Sequence, residues 1–316
     1  MINSLCGKLR ENTAKSQTFF PTFGTMKTIL AGLIFAMLWA SASVATKFGI
    51  LSAPPLILAN TRFFLAGSVL LSYGYAFGKH NYRWPDRQEW KHLAIFGLLN
   101  TTIYLGLYVF SMKYTAAGIG SLATSTNPLL IVLLSSWLIG RKPEKSEIAS
   151  ILIGMTGIGI ATYPLIRNSS SSTFGLCILM LSMVTVSFAS VYYARVKWKA
   201  PNVLINGWQV TLGGIFLLPV TLLTSDFSQL KLDERFVYST LWLGLAVSVV
   251  GLICWFYLLK IDAVKASLWL FLCPLFGFFY AWWLLDEPIT FYTIIGTLFV
   301  IAGLYLGQRK KFNALE

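Results

Sequence analysis

The chain has 316 residues, 56% of them hydrophobic and only 12% charged, with a mean hydropathy of +0.68. Soluble domains carry about 25% charged residues, so this composition excludes a water-soluble fold. The formal charge of +13 does not point to nucleic acid, because the bases sit in short loops between apolar stretches, where they set membrane topology.

Residues 1–27 read as a polar, basic cytoplasmic tail carrying Lys8, Arg10 and Lys15. The apolar run Thr28 to Val44 is too long for a signal-peptide core and lacks a cleavage site, so it reads as an uncleaved first span. A helix needs about 20 apolar residues to cross the hydrocarbon. Ten such segments follow one another at about 28–48, 55–77, 92–112, 115–138, 146–166, 174–194, 203–224, 237–259, 264–285 and 290–307. The Ser-rich link 167–173 separates a first half, 28–166, from a second, 174–308, and 309–316 form a second cytoplasmic tail. The fold class predicted is all-α, a polytopic membrane protein.

Basic residues divide unequally between the two sides. The N-terminal tail, the even-numbered loops (Lys79 to Lys91, Arg141 to Lys145, Arg195 to Lys199, Lys260 and Lys265) and the C-terminus share one side. Only Lys47, Lys113, Arg167, Lys231 and Arg235 fall on the other. The positive-inside rule then puts both termini in the cytoplasm, here of a bacterial inner membrane. An even number of spans requires the same.

The second half repeats the first at an offset of 146–147 residues. Ser121-Leu122, Pro128-Leu129 and Trp137 recur as Ser267-Leu268, Pro274-Leu275 and Trp283. Gly67, Gly97-Leu98 and Lys113 recur as Gly214, Gly244-Leu245 and Lys260. Five spans per copy force the copies to cross the bilayer in opposite senses. Inverted repeats of this kind build alternating-access transporters with the substrate between the halves.

Arg62 is a charge inside span 2, where insertion costs about 2.5–3.5 kcal/mol. It either anchors a substrate carboxylate in an aqueous cavity or is tied to backbone carbonyls; the repeat sets Gln209 opposite it. All twelve acidic residues fall in loops, tails or span ends, which argues against a carboxylate proton relay. Pro128 and Pro274 lie near the middle of spans 4 and 9, where each frees a carbonyl, and their equivalence suits a gating pair.

Polar and aromatic stripes at helical spacing mark candidate substrate contacts. They are Trp39 and Ser43 in span 1, Asn100, Tyr104 and Tyr108 in span 3, and Thr124 and Asn127 in span 4. Tyr193 in span 6, Trp255 in span 8 and Trp269 in span 9 complete the set. Helix–helix hydrogen bonding is the competing use of such residues. Spans 5 and 10 carry Ser150-x-x-x-Gly154, Gly157, Gly296 and Gly303-x-x-x-Gly307, which suit close packing within the chain and, second, a homodimer contact. There is no nucleotide-binding, zinc or hydrolase motif, and Cys6, Cys177, Cys254 and Cys273 lack metal-ligand spacing. No cofactor, metal or enzymatic activity is expected; the partners are a small solute and the lipid bilayer.

These residues resemble the EamA family of the drug/metabolite transporter superfamily over about 28–308. The likeness is clearest in Trp39-Ala40-Ser41 with Lys47, in Arg62-Phe63, and in Tyr114-Thr115-Ala116-Ala117-Gly118 leading to Asn127-Pro128. In the second half it lies in Asp262-Ala263-Val264-Lys265-Ala266-Ser267-Leu268, Pro274 and Asp286-Glu287-Pro288-Ile289-Thr290. One departure is Gly140-Arg141, where the family pattern has Gly-Glu, so any role of that glutamate rests on Glu287. The resemblance implies a ten-helix carrier for small metabolites, often amino acids, usually outward, with spans 1–4 and 6–9 around a cavity. The aromatic stripes tilt the solute towards aromatic or amphipathic bodies. A drug or toxic-cation carrier and a flippase of lipid-linked small molecules are the alternatives.

Overall fold

The computed structural model describes residues 26–76, 84–139, 145–167, 171–261 and 263–309. Lys8, Arg10, Lys15, Cys6, His80, Gly140-Arg141, Asn168, Asp262 and the C-terminal Lys310 and Lys311 lie outside them. The chain divides into Met1–Leu30 and Ala31–Glu316. Of the first unit, residues 26–30 are described, and they open a helix; the fold and the site below belong to the second unit.

Among the described residues the protein is all helical. The helices are α1 Met26–Gly49, α2 Pro55–Ala76, α3 Arg87–Ser111, α4 Ala117–Leu138, α5 Lys145–Arg167, α6 Thr173–Arg195, α7 Asn202–Thr224 and α8 Glu234–Ile261. Next comes α9, made of Ala263–Ser267, Leu268–Leu272 and Cys273–Leu285, and then α10 Phe291–Arg309. Seven of them, α1–α4 and α6–α8, are long and apolar enough to cross a membrane, and shorter apolar stretches lie in α5, α9 and α10. Large side chains stay exposed along their outer faces, Trp137 at 76% and Leu223 at 86%, as a surface meeting lipid requires.

Local chemistry sets the ends. α3 begins five residues before its predicted start because Asp86 and Glu89 form a capping box. Asp86 Oδ1 accepts from the N–H of Gln88 (3.0 Å) and Glu89 (2.9 Å), and Glu89 Oε2 accepts from Asp86 N–H (3.2 Å). Asp233 caps α8 by accepting from Phe236 N–H at 3.0 Å. α3 and α8 each contain a π-helical stretch, Leu98–Ile103 and Trp242–Gly251.

The prolines do not sit within continuous helices, as a position near mid-span that frees a carbonyl would have them. α4 breaks at Ser125 and Thr126 and restarts at Asn127-Pro128. α9 passes through the 3-10 segment Leu268–Leu272 and restarts at Cys273-Pro274. Each proline thus sits in the first turn of a new helix, where its missing N–H costs no intrahelical bond. The break itself is satisfied locally, since Ser125 and Thr126 donate their hydroxyls to Leu122 and Ala123 carbonyls at 2.6 and 2.7 Å.

Close packing occurs where side chains are absent. A Cβ on Gly157 would stand 2.6 Å from the Gly296 carbonyl oxygen, and one on Gly303 would stand 2.8 Å from that of Ser150. α5 and α10 therefore pack on each other through their small residues. The pair Gly157–Gly296 becomes Gly303–Ser150 when 146 is added to one member and subtracted from the other. The same exchange, at 147, links two contacts nearer the centre. Gly97 faces the Gln209 carbonyl (2.7 Å from such a Cβ), and Gly244 faces that of Arg62 (3.5 Å).

Candidate substrate site

α2 and α7 pack together, with Arg62 on one and Gln209 on the other. Both side chains are buried. Gln209 has both polar atoms of its amide hydrogen-bonded. Its Oε1 accepts from Thr101 Oγ1 (2.6 Å) and Asn100 Nδ2 (3.4 Å), and its Nε2 donates to Asn206 Oδ1 (3.0 Å). Asn206 passes the chain on by donating to the Ser248 carbonyl at 2.8 Å. This network ties α3, α7 and α8 together.

Arg62 has no such network. Only 1% of it is exposed, it lies 5.0 Å from the Phe63 ring centroid, and its buried Nε has no hydrogen-bond partner. It faces a cleft bordered by Trp39 and Ala42 of α1, Tyr104, Leu105 and Tyr108 of α3, and Val247, Ser248 and Leu252 of α8. None of these lining side chains is a carboxylate or an imidazole. The cleft encloses about 320 Å³ of atom-free space, part of it open to solvent. Its free interior admits the centre of about one water molecule. Aromatic rings form its wall: Tyr104 stacks on Trp39 at 6.4 Å between centroids and meets Tyr108 at 6.1 Å.

Four of the sequence-predicted residues therefore meet at the cleft: Trp39, Arg62, Tyr104 and Tyr108. Trp255 stands behind them, stacked at 4.8 Å on Phe35, which in turn packs on Trp39. The others are engaged in bonds and packing elsewhere. Ser43 bonds Ser121 Oγ at 2.8 Å and joins α1 to α4. Thr124 bonds the Ser121 carbonyl at 2.7 Å within α4, and Asn127 accepts from Ser187 of α6 at 3.3 Å. Asn100 belongs to the Gln209 network. Tyr193 is stacked on Phe256 and Trp198 and donates to Asn202 at 3.2 Å. Trp269 fills the space left by Gly32.

Polar clusters close the ends of the bundle. At one end the Asp233 carboxylate accepts from Ser52 Oγ at 2.7 Å, and Glu287 accepts from the first two N–H groups of α4, Ala117 (2.7 Å) and Gly118 (3.0 Å). The N–H of Phe236, and after it the Ser52 hydroxyl, hold the Asp233 carboxyl below its ordinary range. At the other end Asp86 meets Lys199 at 2.6 Å, His92 Nδ1 lies 2.6 Å from Tyr192 Oη, and Ala200 N–H donates to Glu89 (3.2 Å). The Lys199 ammonium, followed by the capping N–H of Glu89, lowers the Asp86 carboxyl too. Trp84, Trp90 and Trp208 cluster beside them, with Trp208 Nε1 donating to Tyr75 Oη at 3.0 Å. Sequence analysis missed Glu287 as a cap and Asp86 as an ion-pair partner. The Asp86-x-x-Glu89 spacing was the available signal.

The EamA-like transporter family model matches residues 26–163 and 173–307. An uncharacterized transporter of Archaeoglobus fulgidus is 26% identical over 90% of this chain and 98% of its own length. Protein PecM of Dickeya dadantii is 26% identical over 88% and 93%. A solved crystal structure, 20% identical, superposes with a TM-score of 0.68 over 89% of this chain and 97% of its own, which is a likeness of fold. With both halves matched and apolar helices throughout, the chain is an integral membrane protein that belongs to the EamA-like transporter family.

Proposed function

We propose that this protein is a secondary transporter that exports small carboxylate-bearing metabolites, amino acids among them, by alternating access around the Arg62 cleft. The observation that carries this reading is the buried guanidinium with an unpartnered Nε in a wall of Trp39, Tyr104 and Tyr108. Such a site offers a fixed charge for a carboxylate and aromatic faces for the rest of the solute. In the present conformation the cleft has room for about one water, so a loaded state must be wider. The broken helices α4 and α9, with Pro128 and Pro274 at their restarts, are the parts suited to open it.

In this reading the ten helices are ten spans, grouped as inverted halves 28–166 and 174–308 about the linker 167–173. Both termini are cytoplasmic and the membrane is a bacterial inner membrane. The exchange of contacts at the 146–147 offset supports the inversion, and the one-sided distribution of basic loops supports the orientation. The test is counterflow by the purified protein in liposomes against a panel of amino acids and related acids, with and without a pH gradient. Saturable exchange of one class is the expected result. Absence of exchange for every carboxylate solute would refute the reading.

A further inference from the structure

The cleft holds a positive charge that no described side chain balances. Arg62 is 1% exposed, its Nε has no acceptor, and its neighbours in the lining are the indole of Trp39, the phenols of Tyr104 and Tyr108, aliphatic groups and Ser248. A guanidinium is all donor, in a planar fork that matches a carboxylate. A buried ion without a partner is costly, so the ligand that supplies the counter-charge gains most. A cation entering this space meets like charge. The ammonium of a zwitterion finds no carboxylate to accept it. The related position offers no second site: Gln209 has its acceptor and donor atoms engaged by Thr101, Asn100 and Asn206. One anion then matches one site.

We propose that the cleft takes a monovalent organic anion, a carboxylate on an apolar or aromatic body, and that an interior-negative membrane potential by itself drives its exit. This rests on the transport reading above. Loading neutralises the site, so the occupied carrier crosses its closed state uncharged there and the empty one returns with Arg62 positive. Each outward cycle moves one negative charge out, in the direction the potential favours. A membrane-embedded proton relay is then unnecessary. The described acidic residues fit this: Asp86, Glu89, Glu147, Asp226, Asp233, Glu234, Asp286 and Glu287 all lie at helix ends or in loops.

The test uses the full chain and three probes that share one ring: phenylacetate, phenylalanine and 2-phenylethylamine. Binding is read in detergent from the shift in thermal unfolding. Transport is read in liposomes, above the leak of protein-free vesicles, under potassium–valinomycin potentials of either sign. Phenylacetate is expected to bind tightest and the amine weakest. Its efflux should accelerate when the interior is negative and ignore a pH gradient. Arg62→Gln should lower the preference for acid over amine by about 10- to 100-fold, the loss of charge-assisted hydrogen bonds. Arg62→Lys should keep the order with weaker binding, since a point charge replaces the fork. Exchange of phenylalanine equal to that of phenylacetate, insensitive to potential, would overturn the anion site and leave transport standing. Phenylacetate binding that depends on Arg62 but without exchange would uphold the anion site and remove the transport reading together with the potential-driven exit. Neither binding nor exchange overturns both.

Discussion

Arg62 and Gln209 stand 147 residues apart in sequence, on two helices that pack against each other, and the fold treats them in opposite ways. Around Gln209, Thr101, Asn100 and Asn206 satisfy the amide, and the Gly97 backbone closes in to 2.7 Å of its carbonyl measured from an added Cβ. Around Arg62 the corresponding residues are Val247 and Ser248, the glycine approach is looser at 3.5 Å, and a cleft remains. One region is a finished polar joint. The other has the same backbone frame with its polar partners withdrawn, which leaves a buried donor facing open space. In the proposed reading, a related pair of positions separates stability from binding.

The largest effect should come from reversing the pair. Gln209→Arg places a charge where the surroundings are already filled. The cost expected is about 3–5 kcal/mol, as for a buried charge left without a partner. Size-exclusion profiles in detergent should show loss of monodisperse protein, whereas Arg62→Gln should keep a normal profile and lose substrate preference. A normal profile for Gln209→Arg would mean that the joint is looser than its hydrogen bonds indicate.

Next come the glycines. Gly97→Ala drives a methyl against the Gln209 carbonyl, which is backbone and cannot yield, at a cost of about 1–3 kcal/mol. Gly244→Ala meets first the Leu65 side chain, 2.8 Å from the added carbon, which can rotate away. Thermal unfolding should rank Gly97→Ala as the more damaging. Equal effects would erase the difference between the two approaches.

A smaller contrast lies in the hydroxyls. Thr101→Val removes the 2.6 Å donor to Gln209 and should lower stability by about 1 kcal/mol without changing substrate ranking. Ser248→Ala should leave the unfolding temperature nearly unchanged and alter KM, because its hydroxyl borders the cleft and only its carbonyl serves the network.

The smallest effect concerns the Asp86–Lys199 ion pair at the end of the bundle. The folded carboxyl lies below its ordinary value of 3.8, so the pair adds stability above that value and loses it as pH falls through the lowered one. Asp86→Asn should lower the unfolding temperature slightly at neutral pH and make no difference in strong acid. The exposed position keeps the effect small. A difference that persisted in acid would mean that the cap, and not the ion pair, carries the effect of the substitution.

Much of the framework was legible in the sequence. The described residues are helical throughout, and seven helices are long and apolar enough to cross a membrane, with shorter apolar stretches in α5, α9 and α10, because long runs of Leu, Ile, Phe and Ala allow little else in lipid. The glycines of α5 and α10 announced close packing and meet across that interface. Arg62 announced itself as the one basic residue within a span. The rest was less readable. Asn100 shares a helical stripe with Tyr104 and Tyr108, yet it bonds Gln209 of a neighbouring helix while the tyrosines line the cleft. Periodicity identifies the face a residue is on, and a face of a membrane helix meets a neighbour and a cavity at different heights.

Composition and hydropathy, then, determined by themselves that this chain is helical and membrane-embedded, because a backbone in hydrocarbon must satisfy its own hydrogen bonds. The loop charges and the repeat set out an orientation and a symmetry as expectations, and these belong to the proposed reading. Only the tertiary structure decided which polar groups are paired. Gln209 finds its partners Thr101 and Asn100 in α3, 108 and 109 positions away, whereas Val247 and Ser248 of α8, which border the cleft with Arg62, offer it no such pair. That is a matter of packing in three dimensions, and no one-dimensional pattern carries it.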